Sequence, residues 1–389
     1  MLKPADRIST LKAYFFADLG KRIAAMRAKG TDVVRLDIGS PDLPPPGFIL
    51  ESMFDSASKP NTHGYTLGLT QPFRNAVAAY YKKRFGVEVD AKSEVVDLIG
   101  SKEGLFILSQ VILNPGDVSL VPDPAYAVYA KSAEIAGGVP YSMPLLEKNA
   151  FLPDLEAIPA DVLKKAKILW LNYPNNPTGA IADLAFFERV VSFARKHNLL
   201  VAHDNPYCDV GFNGYHAPSL LQVPGAKEVS IEFNSLSKTY NMAGWRVGMA
   251  VGNPDAIKFI ETYKSQQDSA IFAPLMAAGE MAMLGDQTWL TERNRVYQAR
   301  RDAVVDGLHQ AGVRVAPPQA ALYVWAPVPD GQGSMDFCAR MLDEVGVSTT
   351  PGVVFGKHGE GYFRISLVTE LERMREGVNR IAGWLQKRH

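Results

Sequence analysis

The chain has 389 residues and balances 41 Lys and Arg against 41 Asp and Glu, so it offers no long-range field to nucleic acid or to an anionic membrane surface. A chain this long exceeds the size at which one hydrophobic core stops growing, and two lobes are expected. Cys208 and Cys338 lie far apart, which excludes both a disulfide framework and a metal-ligand pair and points to a reducing, cytoplasmic setting.

Lys3, Asp6 and Arg7 precede any apolar run, and residues 11–17 are too few before Asp18 to form the core of a signal peptide. A helix-like stretch over 5–30 leads into an extended segment broken by Pro41 and by the prolines at 44–46. From about residue 70 to 285, short β-rich runs alternate with helical patterns, the signature of an α/β lobe with a mainly parallel sheet. The runs 95–99, 118–121, 168–171, 199–202 and 229–233 read as strands, and 249–251 as a further strand of antiparallel sense. Segments 72–85 and 184–197 space their apolar residues three and four apart, as helices packing on a sheet do. Beyond about 290 comes a long charged helical pattern, then short strands near 321–325 and 362–366. The expected division is a large lobe over 51–285 and a small lobe built from both ends, 1–50 and 286–389. No apolar run reaches the length of about 18 residues that spans a bilayer, and no fixed-period repeat is present, so an unexported soluble protein is expected.

The densest chemical signal is Ser235-Leu236-Ser237-Lys238, followed by Arg246 in Ala243-Gly244-Trp245-Arg246-Val247-Gly248. A lysine can form a Schiff base with an aldehyde, while neighbouring hydroxyls and a guanidinium hold a phosphate dianion through charge-assisted hydrogen bonds. One segment can therefore grip both ends of pyridoxal phosphate. Taken alone, a Ser-x-Ser-Lys string is a solvated lysine in a polar turn. The flanking pattern reverses that reading, because the segment resembles the cofactor-lysine motif of class I and II aminotransferases, the fold-type I pyridoxal-phosphate family.

The resemblance continues in chain order. Asn175-Asn176-Pro177-Thr178-Gly179 is similar to the family's turn in which the residue at Asn176 meets the cofactor's phenolic oxygen and the substrate. Asp204-Asn205-Pro206-Tyr207 follows a strand at the end where ligands of open α/β sheets bind. The resemblance gives Asp204 the pyridine nitrogen, which a carboxylate keeps protonated so that the ring accepts electrons, and gives Tyr207 the phenolic oxygen. Ser101 and Lys102, in Gly100-Ser101-Lys102-Glu103-Gly104, stand where a helix N-terminus can clamp the phosphate. Tyr126 matches the ring-stacking aromatic, and Tyr65 a tyrosine that reaches the neighbouring subunit's cofactor phosphate. Arg364, in Phe363-Arg364-Ile365-Ser366, matches the arginine that takes the substrate α-carboxylate with its planar fork. Gly39 matches the backbone that closes over the same group, and Tyr14 is expected to cover the substrate.

The family resemblance spans roughly residues 10 to 385. It implies an aspartate-aminotransferase-like α/β fold: a large lobe with a mainly parallel seven-stranded sheet flanked by helices, plus a small α+β lobe from both termini. It also implies a homodimer with shared active sites, amino-acid and 2-oxo-acid substrates, and 2-oxoglutarate as acceptor. The wording of residues 224–233 and 100–104 is similar to the subgroup that contains LL-diaminopimelate aminotransferase. Aspartate, alanine and aromatic aminotransferases share many of these words, and a C–S β-lyase on the same fold is the rival chemistry. A non-enzymatic regulator would need a basic DNA-binding segment that the chain lacks. The string Gly352-Val353-Val354-Phe355-Gly356-Lys357-His358 falls short of a P-loop in both spacing and its last residue, and neither a Gly-x-Ser-x-Gly elbow nor a zinc-binding His-Glu-x-x-His occurs.

Overall fold

A computed structural model describes residues 2–9, 15–66, 70–268 and 271–387. Its strands are β1 (Val34–Arg35), β2 (Val95–Leu98), β3 (Val118–Asp123), β4 (Val139–Pro144), β5 (Ala166–Leu171) and β6 (Leu200–Asp204), then β7 (Ser230–Ser235), β8 (Gly248–Gly252), β9 (Tyr323–Pro327), β10 (Val347–Ser348), β11 (Thr350–Pro351) and β12 (Tyr362–Ser366).

The main sheet has seven strands in the order β2-β8-β7-β6-β5-β3-β4. Parallel pairing runs from β7 to β4, and β8 is antiparallel to both of its neighbours, as its sequence suggested. Strands buried on both faces show why the runs are almost continuously apolar. In β5, Ile168 and Trp170 point into one core with Leu105, Tyr129 and Phe233, while Leu169 and Leu171 point into another with Phe186, Phe187 and Val190. The helix Leu184–His197 in that second core starts where Asp183 accepts the amide of Phe186 at 2.7 Å and ends on Asn198 in the left-handed region.

Several strands run beyond the bounds read from the sequence, and two of the extensions carry chemistry: β6 reaches Asp204 and β7 reaches Ser235. The edge strand β4 escaped it, because Pro140 and Pro144 fall within six residues and read as loop. Proline lacks the amide that a central strand must donate, so an edge is where it is tolerated.

The segments from the two ends pack together. Strands β11, β12 and β9 form an antiparallel sheet, and β1 pairs with β10 in parallel. Their core joins Val34 and Leu36 to Tyr297 and Leu308 of the helix Thr288–Gln310, Phe337 of Ser334–Val345 and Trp384 of Leu371–Gln386. The long helix Thr288–Gln310 thus carries the chain from the main sheet into this second core. No described helix is long and apolar enough to cross a membrane.

Candidate active site

The carboxyl ends of β6 and β7 meet the second body at a cavity of about 410 Å³. Strand β7 stops at Ser235, whose side chain accepts the Ser237 amide at 3.2 Å and so starts the short helix Leu236–Thr239 that carries Lys238. Arg246 sits in the left-handed region with φ of 58° and lies across Gly100. A Cβ at Gly100 would fall 2.2 Å from the Arg246 guanidinium, and Gly100 itself has φ of +72°, so only glycine allows this approach. Behind Gly100 begins the twelve-residue helix Ser101–Ile112. Its first amides, Lys102 and the Arg246 fork make a concave cationic cradle for an anion. The Ser237 hydroxyl is buried there with no partner among the described residues.

Asp204 occupies the floor. Its Oδ2 accepts the Tyr129 hydroxyl at 2.7 Å, while Oδ1 is buried and has no partner among the described residues. Asn172 holds the Asp204 carbonyl at 2.7 Å, and the Tyr129 ring stacks on Trp170 at 5.0 Å. Burial raises the Asp204 pKa to about 6, against the opposing pull of the Tyr129 hydrogen bond, His203 and Lys238. Burial likewise lowers Lys238 to about 8, helped by the positive charges of Arg364 and Arg246. Its Nζ donates to the Gly39 carbonyl.

The opposite wall comes from the second body. Arg364 donates through Nη1 to Asn176 Oδ1 at 2.8 Å and through Nη2 to the Asp37 carbonyl at 3.0 Å, while its Nε has no partner among the described residues. The guanidinium lies 4.2 Å from the Tyr323 ring centre and 4.7 Å from that of Phe355. The hydroxyls of Tyr323 and Tyr207 meet at 2.7 Å. Tyr126 stands edge-on to Tyr129 at 6.0 Å, with the Lys102 ammonium 5.6 Å from its ring.

Gly39, Ser101, Lys102, Tyr126, Asn176, Asp204, Tyr207, Ser235, Ser237, Lys238, Arg246 and Arg364, all singled out from the sequence, line this one cavity. Tyr65 is not among its lining residues and stands 83% exposed. Tyr14 lies outside the described residues. The lining residues that the sequence did not single out include Tyr129, Asn172, Tyr323 and Phe355. Asn172 directly follows a strand that was recognised, and Tyr129 lies one helical turn after Tyr126; both positions were available signals. A larger cavity of about 740 Å³ borders Tyr80, Arg84, Cys208 and Met283 but excludes Lys238. Arg293 separates the two regions, donating to the Lys238, Thr239 and Asp209 carbonyls.

The donor set of the smaller cavity fits pyridoxal phosphate. The cradle suits a dianion, the orphaned Asp204 oxygen suits a protonated ring nitrogen, and an amine with pKa about 8 is available to an aldehyde. The sequence profile of aminotransferase class I and II matches residues 31–381. The chain is 48% identical over 388 residues to LL-diaminopimelate aminotransferase of Moorella thermoacetica, covering 99% of both. It is 49% identical to the enzyme of that name from Dehalococcoides mccartyi, covering 98% of this chain and 99% of the relative. Among solved structures, substrate-bound BacF from Bacillus subtilis superposes with a TM-score of 0.95 at 36% identity, covering 99% of this chain and 98% of BacF. A probable N-succinyldiaminopimelate aminotransferase from Thermus thermophilus superposes at 0.90 and 39%, covering 95% of this chain and 99% of its own. The chain belongs to the class I and II aminotransferases and is a pyridoxal-phosphate-dependent transaminase.

Proposed function

We propose that the enzyme transaminates LL-diaminopimelate, with 2-oxoglutarate receiving the amino group. The observation that carries this reading is near-half identity over essentially the full length of relatives bearing that name. Bound pyridoxal phosphate supplies the electron sink that makes the substrate Cα–H bond acidic. Each side chain then has a task that follows from its surroundings. Asp204, in its ionised form, holds the proton on the pyridine nitrogen. Ser101, Lys102, Ser235, Ser237 and Arg246 would bind the phosphate, Tyr126 would pack on the ring, and Tyr207 and Asn176 would contact the phenolic oxygen. Arg364 takes the α-carboxylate, its two aromatic neighbours shielding the pair from water and thereby strengthening it. Lys238 would hold the cofactor and, with its amine free, would take the proton from the substrate Cα as general base and deliver it as general acid to the cofactor carbon that carried the aldehyde.

The functional unit we propose is a homodimer in the cytoplasm, with lobes divided near residues 50 and 285. Tyr65, Phe54, Phe272, Met281 and Leu284 are exposed, and the helices Gly47–Ala57 and Ala273–Leu284 that carry three of them pack on each other. An apolar surface of that kind fits a subunit interface, with Tyr65 reaching the partner's phosphate.

The test is a single half-reaction. Mixing the loaded enzyme with LL-diaminopimelate and no acceptor should convert the cofactor to its amine form and release about one equivalent of 2-oxo acid per site; 2-oxoglutarate should then restore it. Continuous release without any acceptor would mean a lyase, and no response to LL-diaminopimelate alongside a response to another amino acid would reassign the donor.

A further inference from the structure

LL-diaminopimelate differs from simple amino acids in carrying a second amino-acid head at the far end of its chain, so a site selective for it needs a second charged recognition point. One pair of charged residues lining the cavity has no part in the chemistry described so far: Arg35 and Asp37. Alternation along this extended segment sends Val34 and Leu36 into the core and leaves Arg35 and Asp37 together on the other face. Arg35 grips Asp37 with two hydrogen bonds, Nε to Oδ1 at 3.1 Å and Nη2 to Oδ2 at 2.6 Å. The Asp37 side chain is 1% exposed, whereas that of Arg35 is 29% exposed. The carboxylate therefore anchors the guanidinium from behind, and the Nη1 edge, which has no hydrogen-bond partner among the described residues, remains available.

The placement relative to Arg364 gives this edge its meaning. Arg364 donates to the main-chain carbonyl of Asp37 itself. On extended chain Arg35 lies two positions, about 6–7 Å of backbone, from the residue whose carbonyl Arg364 holds, which places the two arginines in one neighbourhood of the cavity. Both guanidinium groups border the same cavity as Lys238. A pre-fixed fork loses little freedom on binding, which suits it to carboxylate recognition.

We propose that Arg35, anchored by Asp37, receives the second carboxylate of the substrate and makes the site selective for amino acids that carry one. This rests on the transaminase reading above and names the substrate class of that same site. The acceptor 2-oxoglutarate also carries a second carboxylate, so one residue serves both halves of the cycle.

The experiment compares the loaded wild type with Arg35→Gln and with the double variant Arg35→Gln/Asp37→Asn, which leaves no buried carboxylate without its cation should the single variant fold poorly. Specificity constants are measured for LL-diaminopimelate, L-glutamate and L-norleucine. Adipate and hexanoate are also titrated against the cofactor's visible band, as a binding readout without turnover. Losing one hydrogen-bonded charge contact should lower the diacid-to-monoacid ratio about 10- to 100-fold in both variants, and weaken adipate by a similar factor relative to hexanoate. An unchanged ratio, or equal losses for both classes, would show that Arg35 only neutralises Asp37. The two readings fail separately. A wild type that rejects LL-diaminopimelate yet shows Arg35-dependent preference for glutamate sinks the donor assignment and keeps this one. A wild type that accepts LL-diaminopimelate with a ratio indifferent to Arg35 does the reverse.

Discussion

Replacing Tyr129 with Phe removes one oxygen and keeps the ring stacked on Trp170, which isolates the hydrogen bond that Asp204 accepts at 2.7 Å. A hydrogen bond to a charged group contributes about 1.5–3 kcal/mol, equivalent to roughly 1–2 pKa units. In the cofactor-free enzyme the Asp204 pKa of about 6 should rise by that amount, because burial would then act with less opposition. Cofactor binding needs the carboxylate ionised. At pH 6 about half of the wild-type Asp204 is charged, against a tenth to a hundredth in the variant, so cofactor affinity should fall about five- to fifty-fold. At pH 9 the carboxylate is ionised in both proteins and the two affinities should converge. Titrating pyridoxal phosphate into the cofactor-free proteins and following tryptophan fluorescence gives both values. In an Asp204→Asn background, where no charge remains to stabilise, Tyr129→Phe should have little further effect. Equal affinities at pH 6, or a deficit of the same size at pH 9, would refute the electrostatic role given to Tyr129.

The rate at which Lys238 captures the cofactor should climb with pH and level off above about 8, because its depressed pKa leaves the amine neutral there; stopped-flow absorbance would show this, and a rate still climbing at pH 10 would contradict it. The same depression means that Lys238 contributes stability to the cofactor-free fold fully only above its unfolded pKa and loses it as pH falls through about 8. Arg364→Lys should raise KM for amino acids about 10- to 100-fold while changing cofactor affinity far less, since a point charge cannot reproduce the planar fork; equal losses in both would remove Arg364 from the carboxylate site. Tyr65→Phe should loosen cofactor retention without abolishing turnover, and sedimentation at assay concentration should show a dimer; a fully active monomer would leave Tyr65 as a surface residue.

What could be read without coordinates depended on how local each feature is. The alternation of apolar runs with helical spacing marked the main sheet, because strands buried on both faces must be apolar throughout. Strand β4 stayed hidden, since its prolines are compatible with a strand only at the edge it occupies, and edge position is a property of the whole sheet. The site shows the same division. Lys238, Ser237 and Ser235 announce themselves within four positions, whereas Arg364 stands out only by its family resemblance, and its hydrogen bond to Asn176, 188 positions away, exists only in the fold. Tyr129 and Tyr323 are ordinary core tyrosines by local pattern, and what distinguishes them is a hydroxyl aimed at Asp204 in one case and at Tyr207 in the other. Arg35 and Asp37 could be placed on one face of an extended segment by alternation, but not on the cavity side of it.

The most direct test of the central assignment is to reduce the loaded wild-type enzyme with borohydride, digest it and map the peptides by mass spectrometry. One cofactor adduct is expected, on Lys238, together with a Lys238→Ala protein that takes no stable adduct and performs no transamination. An adduct on any other lysine, or turnover surviving in Lys238→Ala, would contradict it.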